Sequence, residues 1–126
     1  MDTSIWIEVF RARDPLLLEE LVDFEEVVTC LPVVQEVLQG FREEHHWRIA
    51  REALFALPIV ESPMDAAVYL EAASLYRYAR RGGLTVRSSI DCLIAACAMR
   101  HDLEVLHRDR DFTALASVTA LRSREG

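Results

Sequence analysis

The sequence predicts an α/β domain built on a mostly parallel sheet of four to five short strands flanked by helices. Two observations carry that expectation. Short apolar runs alternate with longer amphipathic stretches along the chain, the pattern of strands joined by crossover helices. Helix start and stop signals (Pro15, "SPMD", "RRGG") fall between those runs. With 126 residues, 52% hydrophobic and 28% charged, the chain reads as one domain over 1–126, long enough to bury a core.

The elements follow in order. Ile5, Trp6, Val9 and Phe10 mark a first helix capped by Asp2 or Thr3, and "PLLLEELVDF" opens a second at Pro15. "VVTC" at 27–30 is a short buried strand. "LPVVQEVLQGFREE" is helical, with Val33, Val34, Val37, Leu38 and Phe41 on one side. "HHWRIAREALFAL" is another helix, ended by Pro58, and "IVE" at 59–61 is the next strand. "SPMD" at 62–65 has capping-box spacing, with Ser62 as N-cap, Pro63 first in the helix and Asp65 third. That helix runs to about Arg81, where "RRGG" gives a basic last turn and a glycine stop. "SSIDCLIAACAMRH" is a strongly apolar helix with the same spacing between Ser88 and Asp91. "LEVLH" is a strand, "RDRDF" a turn into a short helix, and "VTAL" the last strand.

Composition removes several classes of function. All fourteen basic residues are Arg, which excludes lysine Schiff bases, lysine general bases and the lysine-bearing phosphate loop. No apolar run approaches the ~20 residues that span a bilayer. No secretory signal is evident, and the three cysteines form no CxxC pair, so Cys30, Cys92 and Cys97 read as reduced core thiols of a cytosolic protein. His45 and His46 are adjacent, and His101 and His107 lack zinc-ligand spacing; His107 reads as a strand-end residue and the others as surface. A net charge of −7 gives the whole surface no long-range attraction for a polyanion.

Ligand crevices of parallel sheets lie beyond the carboxyl ends of the strands, so the acids near those ends matter. Asp2, Glu36, Asp91 and Asp109 can all face such a crevice. Each also has a plainer reading. In it Asp2 caps a helix or frays, Glu36 is a solvated helix residue, Asp91 only partners Ser88, and Asp109 or Asp111 only turns or caps the chain. Against these, the run after Asp91 is so apolar that its helix must be buried, where a carboxylate needs a hydrogen bond, an ion pair or a metal. Gathered carboxylates repel one another unless a hard divalent cation sits among them, and oxygen-only ligands favour Mg²⁺ or Mn²⁺. Such an ion activates water and neutralises phosphodiester charge.

Four segments, "DTSIWIEVFR", "PVVQEVLQG", "ARRGGLTVRSSIDCLIAACAMRH" and "VLHRDRDF", each carry one of these acids. In that order and spacing the chain resembles PIN-domain ribonucleases, and within them the VapC-type toxins of bacterial toxin–antitoxin pairs. The resemblance implies a Mg²⁺-dependent endoribonuclease acting on tRNA or another structured RNA. It also implies a homodimer neutralised by a VapB-type antitoxin whose tail occupies the active-site groove. Matched residue by residue, Asp2 and Asp91 would be the firmest metal ligands, and Asp109 would bind the metal directly or through water. Glu36 would position or deprotonate the attacking water, Thr3 would hydrogen-bond in the site, and Asp111 would support it. Such proteins place a central apolar strand before the first acid. Here only Met1 precedes Asp2, so the first strand reads as truncated, by a late or trimmed start.

Arg77, Arg80, Arg81 and Arg87 are grouped in sequence and suit RNA phosphates or an acidic antitoxin segment. The plainer reading is that the first three complement a helix C-terminus. Two other functions compete. "EVLHRDRDF" mimics the DxD strand end of a haloacid-dehalogenase-like phosphatase, but lies near the C-terminus of a chain without Lys. A catalytically inert binding module of the same fold is the other.

Overall fold

The computed structural model describes residues 27–107 and 110–125. Expectations about residues 1–26, including Asp2, Thr3, the first two helices and the truncated first strand, lie outside the described residues. So does Asp109.

The described elements are β1 (Thr29–Cys30), α1 (Leu31–Gln39), α2 (Glu44–Phe55), β2 (Ile59–Val60), α3 (Ala66–Arg81), α4 (Ser89–Arg100), β3 (Glu104–His107), α5 (Arg110–Val118) and β4 (Arg122–Glu125). Strands alternate with helices, and every described strand pairing is parallel. β1 pairs with β2, Thr29 opposite Ile59, and β3 pairs with β4, Glu104 opposite Arg122 through His107 opposite Glu125.

Helix faces follow the apolar spacing. α1 buries Pro32, Val33, Val34 and Val37, and α3 buries Val68, Ala72, Leu75 and Ala79. α4 is buried over nearly its whole length: Cys92, Ile94 and the run Ala95–Ala98 are all inside. A helix made of small residues lets its neighbours approach closely, and α1, α3 and α5 all pack against it. Phe112 and Leu115 of α5, both 0% exposed, seal the same core.

α3 ends at Arg81. Gly83 adopts a left-handed φ of 77°, its N–H donates to Arg80 O at 3.0 Å, and Leu84 N–H donates to Ala79 O at 2.9 Å. That pair of bonds closes the orphan carbonyls of the helix end, and a left-handed φ there is cheapest for glycine. α4 ends the same way on Asp102, with φ 52° and Leu103 N–H on Ala98 O at 2.8 Å.

Three local expectations are corrected. Ser62 is not the N-cap of α3: the cap is Asp65, whose carboxylate accepts Ala67 N–H at 3.1 Å. The chain is still turning at Glu61 (φ 53°), which Arg100 and His101 pin, so the helix cannot begin until that turn is complete. The last strand is not "VTAL". Val118 belongs to α5, and Thr119 Oγ1 donates to Leu115 O at 2.6 Å and accepts Leu121 N–H at 3.2 Å, ending the helix and throwing the strand onward to Arg122. The third concerns Ser88 and is described with the site.

Candidate functional site

α4 presents its first turn at the end where α3 finishes, joined by residues 82–88. Ser88 occupies the N-cap, with extended backbone (φ −121°, ψ 122°), but its hydroxyl makes no cap bond. The carboxylate that receives the N-cap N–H is also not Asp91, as the spacing led one to expect. Asp111, on the first turn of α5, accepts the backbone N–H groups of Ser88 and Arg87 on one oxygen, Oδ2, at 3.1 and 3.0 Å. Asp91 N–H instead donates to the carbonyl of Ser88 at 3.2 Å, the ordinary bond of a tight first turn.

Asp91 is thus not the carboxylate that closes the entrance of α4. It is 3% exposed, and Asp111 is 2% exposed. Their shared neighbour is the Cys92 thiol, which burial first, then Asp91, then Asp111 pushes up to about 11. Cys92 thus stays protonated at neutral pH and offers no thiolate ligand. What the first turn of α4 does offer is carboxylate oxygen, the donor that suits a hard cation. A negative charge there also gains from the positive end of the α4 dipole.

Glu36 is half-buried on α1, flanking that helix's buried stripe, and α1 packs on α4. Asp2, Thr3 and Asp109 lie outside the described residues, so the full set of four acids is not on view; among the described residues no group of three or more His, Cys, Asp or Glu gathers as a metal site. The Asp91 carboxylate is oxygen donor chemistry of the class that suits Mg²⁺ or Mn²⁺.

Arg77, Arg80, Arg81 and Arg87 are all exposed. Arg80 lies over the Tyr76 ring, 5.0 Å from its centroid, and Arg77 and Arg81 line a surface pocket with Ser74 and Tyr78. His107 is a buried strand-end residue (1% exposed) packed on the Phe112 ring at 5.3 Å between centroids, and the other three histidines are exposed.

Two arrangements had no signal in the sequence. Glu61 Oε1 accepts from Arg100 Nε at 2.9 Å and meets His101 Nε2 at 3.0 Å, clipping the end of β2 to the end of α4. The Glu61 carboxyl is held below the usual carboxylate range, chiefly by Arg100. The Cys97 thiol hydrogen-bonds with Cys30, the N-cap residue of α1, and that bond and burial raise its pKa. All three cysteines are free and buried.

The PIN domain family model matches residues 1–118. Ribonuclease VapC11 of Mycobacterium tuberculosis is 37% identical over 98% of this chain and 95% of its own length. Ribonuclease VapC51 of the same organism is 31% identical over 94% and 85%. Among solved structures, VapBC2 from Rickettsia felis bound to a DNA fragment from its promoter superposes with TM-score 0.80 at 14% identity, covering 99% of this chain and 96% of that one. VapBC-1 from nontypeable Haemophilus influenzae gives 0.75 at 15% identity, covering 98% and 94%. These superpositions carry the α/β fold with its parallel strands. Among the described residues no helix is long and apolar enough to cross a membrane.

Proposed function

The chain belongs to the PIN domain family, among the VapC ribonucleases, and on that premise we propose that it is an endoribonuclease toxin that hydrolyses RNA phosphodiester bonds with a divalent cation held by carboxylates. The observation that supports this most is Asp91: a carboxylate 3% exposed in the first turn of an otherwise apolar, buried helix. A buried charge of that kind is costly unless something compensates it. Asp91 and Asp111 both act on one neighbour, the Cys92 thiol, and carboxylates gathered in one place make a cation the natural partner.

Asp91, with Asp2 and Asp109, would hold Mg²⁺, or Mn²⁺ in its place. When bound, that ion supplies Lewis-acid stabilisation of the phosphoryl oxygens and a more acidic water. The chain's own groups do the rest. Asp91 is fixed by the α4 backbone, and Asp111 fixes that backbone by holding the N–H groups of Arg87 and Ser88. Glu36 would orient the attacking water and take its proton, and Thr3 would hydrogen-bond in the site. Arg80, Arg81 and Arg87 offset the repulsion between RNA and a chain of net charge −7.

The substrate in this reading is tRNA or another structured RNA, and the chain works as a homodimer in the cytoplasm. Its partner is a VapB-type antitoxin, in keeping with the fold neighbours named VapBC2 and VapBC-1. The test is cleavage of a structured RNA in Mg²⁺, in EDTA, and after Mg²⁺ is restored. Cleavage that stops with EDTA and returns with Mg²⁺ supports the reading. Equal cleavage in EDTA defeats the metal, and no cleavage of any RNA leaves the inert binding module.

A further inference from the structure

Ser74, Arg77, Tyr78 and Arg81 stand at positions i, i+3, i+4 and i+7 of α3, which is one stripe of a helix. They line a common surface pocket. The inward stripe of the same helix is Val68, Ala72, Leu75 and Ala79, so the four form an outward face that the core does not explain. Tyr78 is 55% exposed, an aromatic ring left in water on a stripe that also carries two arginines. Ser74 is small, and its hydroxyl bonds back to Leu70 O at 3.1 Å, which leaves room beside the ring.

Some arginines of the described residues are neutralised within the fold and others are not. Arg48, Arg100, Arg122 and Arg124 each lie within ion-pair distance of a carboxylate. Arg77 and Arg81 make no ion pair among the described residues, although the chain carries 21 Asp and Glu. Complementing the end of α3 accounts for Arg80 and Arg81, which lie in its last turn. Arg77 lies a full turn earlier, where the dipole effect has faded. Two cations about 6 Å apart along a helix, with a ring on the same stripe, make a platform for a charged backbone that carries flat bases.

Resting on the nuclease reading above, we infer that this stripe is an RNA exosite for an unpaired segment: Arg77 and Arg81 take backbone phosphates and Tyr78 stacks on an unpaired base. Along the chain the stripe is followed by the entrance of α4. Residues 82–88 lead from Arg81 to the exposed Arg87, whose backbone Asp111 holds at the mouth of α4, and Asp91 follows one turn later. A strand entering across α3 would pass Arg87 on its way to Asp91. Specificity for RNA with a single-stranded loop beside the cut then comes from Tyr78, since a base inside a duplex offers no free face.

The test uses the full chain with Asp91→Asn as parent, so that RNA is bound and not cut, and compares a single-stranded oligoribonucleotide with a blunt RNA duplex. Double substitution Arg77→Ala and Arg81→Ala should weaken binding of the single strand and reduce its salt slope by about 1.4, from ~0.7 per phosphate contact. Tyr78→Ala should lose roughly tenfold on the single strand and nothing on the duplex, while Tyr78→Phe keeps the affinity. All three side chains are exposed and alanine suits a helix, so the variants should fold as the parent does. Unchanged affinities would overturn the exosite, as would equal losses on both RNAs. So would variants that bind RNA normally but release an acidic antitoxin segment, which would make the stripe a protein contact. The same substitutions made without Asp91→Asn keep the two claims apart. If wild type cuts RNA and the variants cut and bind equally well, the exosite fails and the nuclease stands; if wild type never cuts but the variants lose single-strand binding, the exosite stands and the nuclease fails.

Discussion

Asp111 Oδ2 accepts the backbone N–H groups of Arg87 and Ser88 at 3.0 and 3.1 Å, across 24 and 23 residues of sequence. Through these two bonds α5 holds the entrance of the helix that carries Asp91. Truncation to alanine would leave two N–H groups at that entrance without their acceptor. Asp111→Ala should therefore lower stability by about 2–3 kcal/mol, with Asp111→Asn losing less because one carbonyl oxygen remains. Urea unfolding reads both, and a loss below about 0.5 kcal/mol for the alanine variant would mean that the bonds do not hold the turn.

Asp91 should behave in the opposite way. Asp91→Asn keeps the shape and removes one of two buried charges near Cys92, so stability should stay level or rise by about 1 kcal/mol. Cleavage should fall by more than about 100-fold, since loss of a ligand costs at least what loss of its supports does. Thermal unfolding and RNA cleavage, measured on one preparation, separate the two acids: one supports the fold, the other the chemistry. A destabilised variant with proportionate activity would merge the two roles.

This division between Asp91 and Asp111 was only half legible in the sequence. Asp91 stood out because an acid opening the run "CLIAACA" has to be compensated. Ser88 as N-cap was legible from local spacing. Asp111 as the acceptor was not, because its partners are fixed by how α5 packs on α4, and no local pattern encodes that contact. In "SPMD" the local spacing pointed to Ser62 as the cap, and the turn at Glu61 moves the cap to Asp65. β4 was missed because "RSRE" has no apolar alternation: it pairs through its backbone, while Arg122 and Arg124 reach Asp102 and Glu104. Charged strands of this kind are typical of sheet edges. The end of α3, expected at about Arg81 from the local signal "RRGG", falls at Arg81.

Gly83 tests that end directly. Its φ is 77° and a Cβ there meets nothing within 4 Å, so Gly83→Ala costs only backbone strain. The expected loss is about 1 kcal/mol in urea unfolding. A neutral substitution would show that the turn relaxes without the left-handed residue.

The clip at Glu61 predicts a pH dependence. Its carboxyl is depressed in the folded state below its ordinary 4.5, mainly by Arg100. A depressed acid contributes stability that is complete above its unfolded pKa and fades as pH falls through the folded one. Wild type should thus lose its advantage over Glu61→Gln below about pH 4.5 and keep it at neutral pH. The pair is partly exposed, so the difference should be small, and smaller still in high salt. A gap between the two proteins that persists unchanged at pH 3 would mean that the charge on Glu61 is not its source.

The central claim is that Asp91 is a ligand of a divalent cation. Mn²⁺ binding, followed by loss of the free-ion electron paramagnetic resonance signal, tests it without RNA or turnover. Wild type should bind Mn²⁺, and Asp91→Asn should bind at least tenfold more weakly with its unfolding transition intact. Equal Mn²⁺ binding by the two folded proteins would contradict the claim.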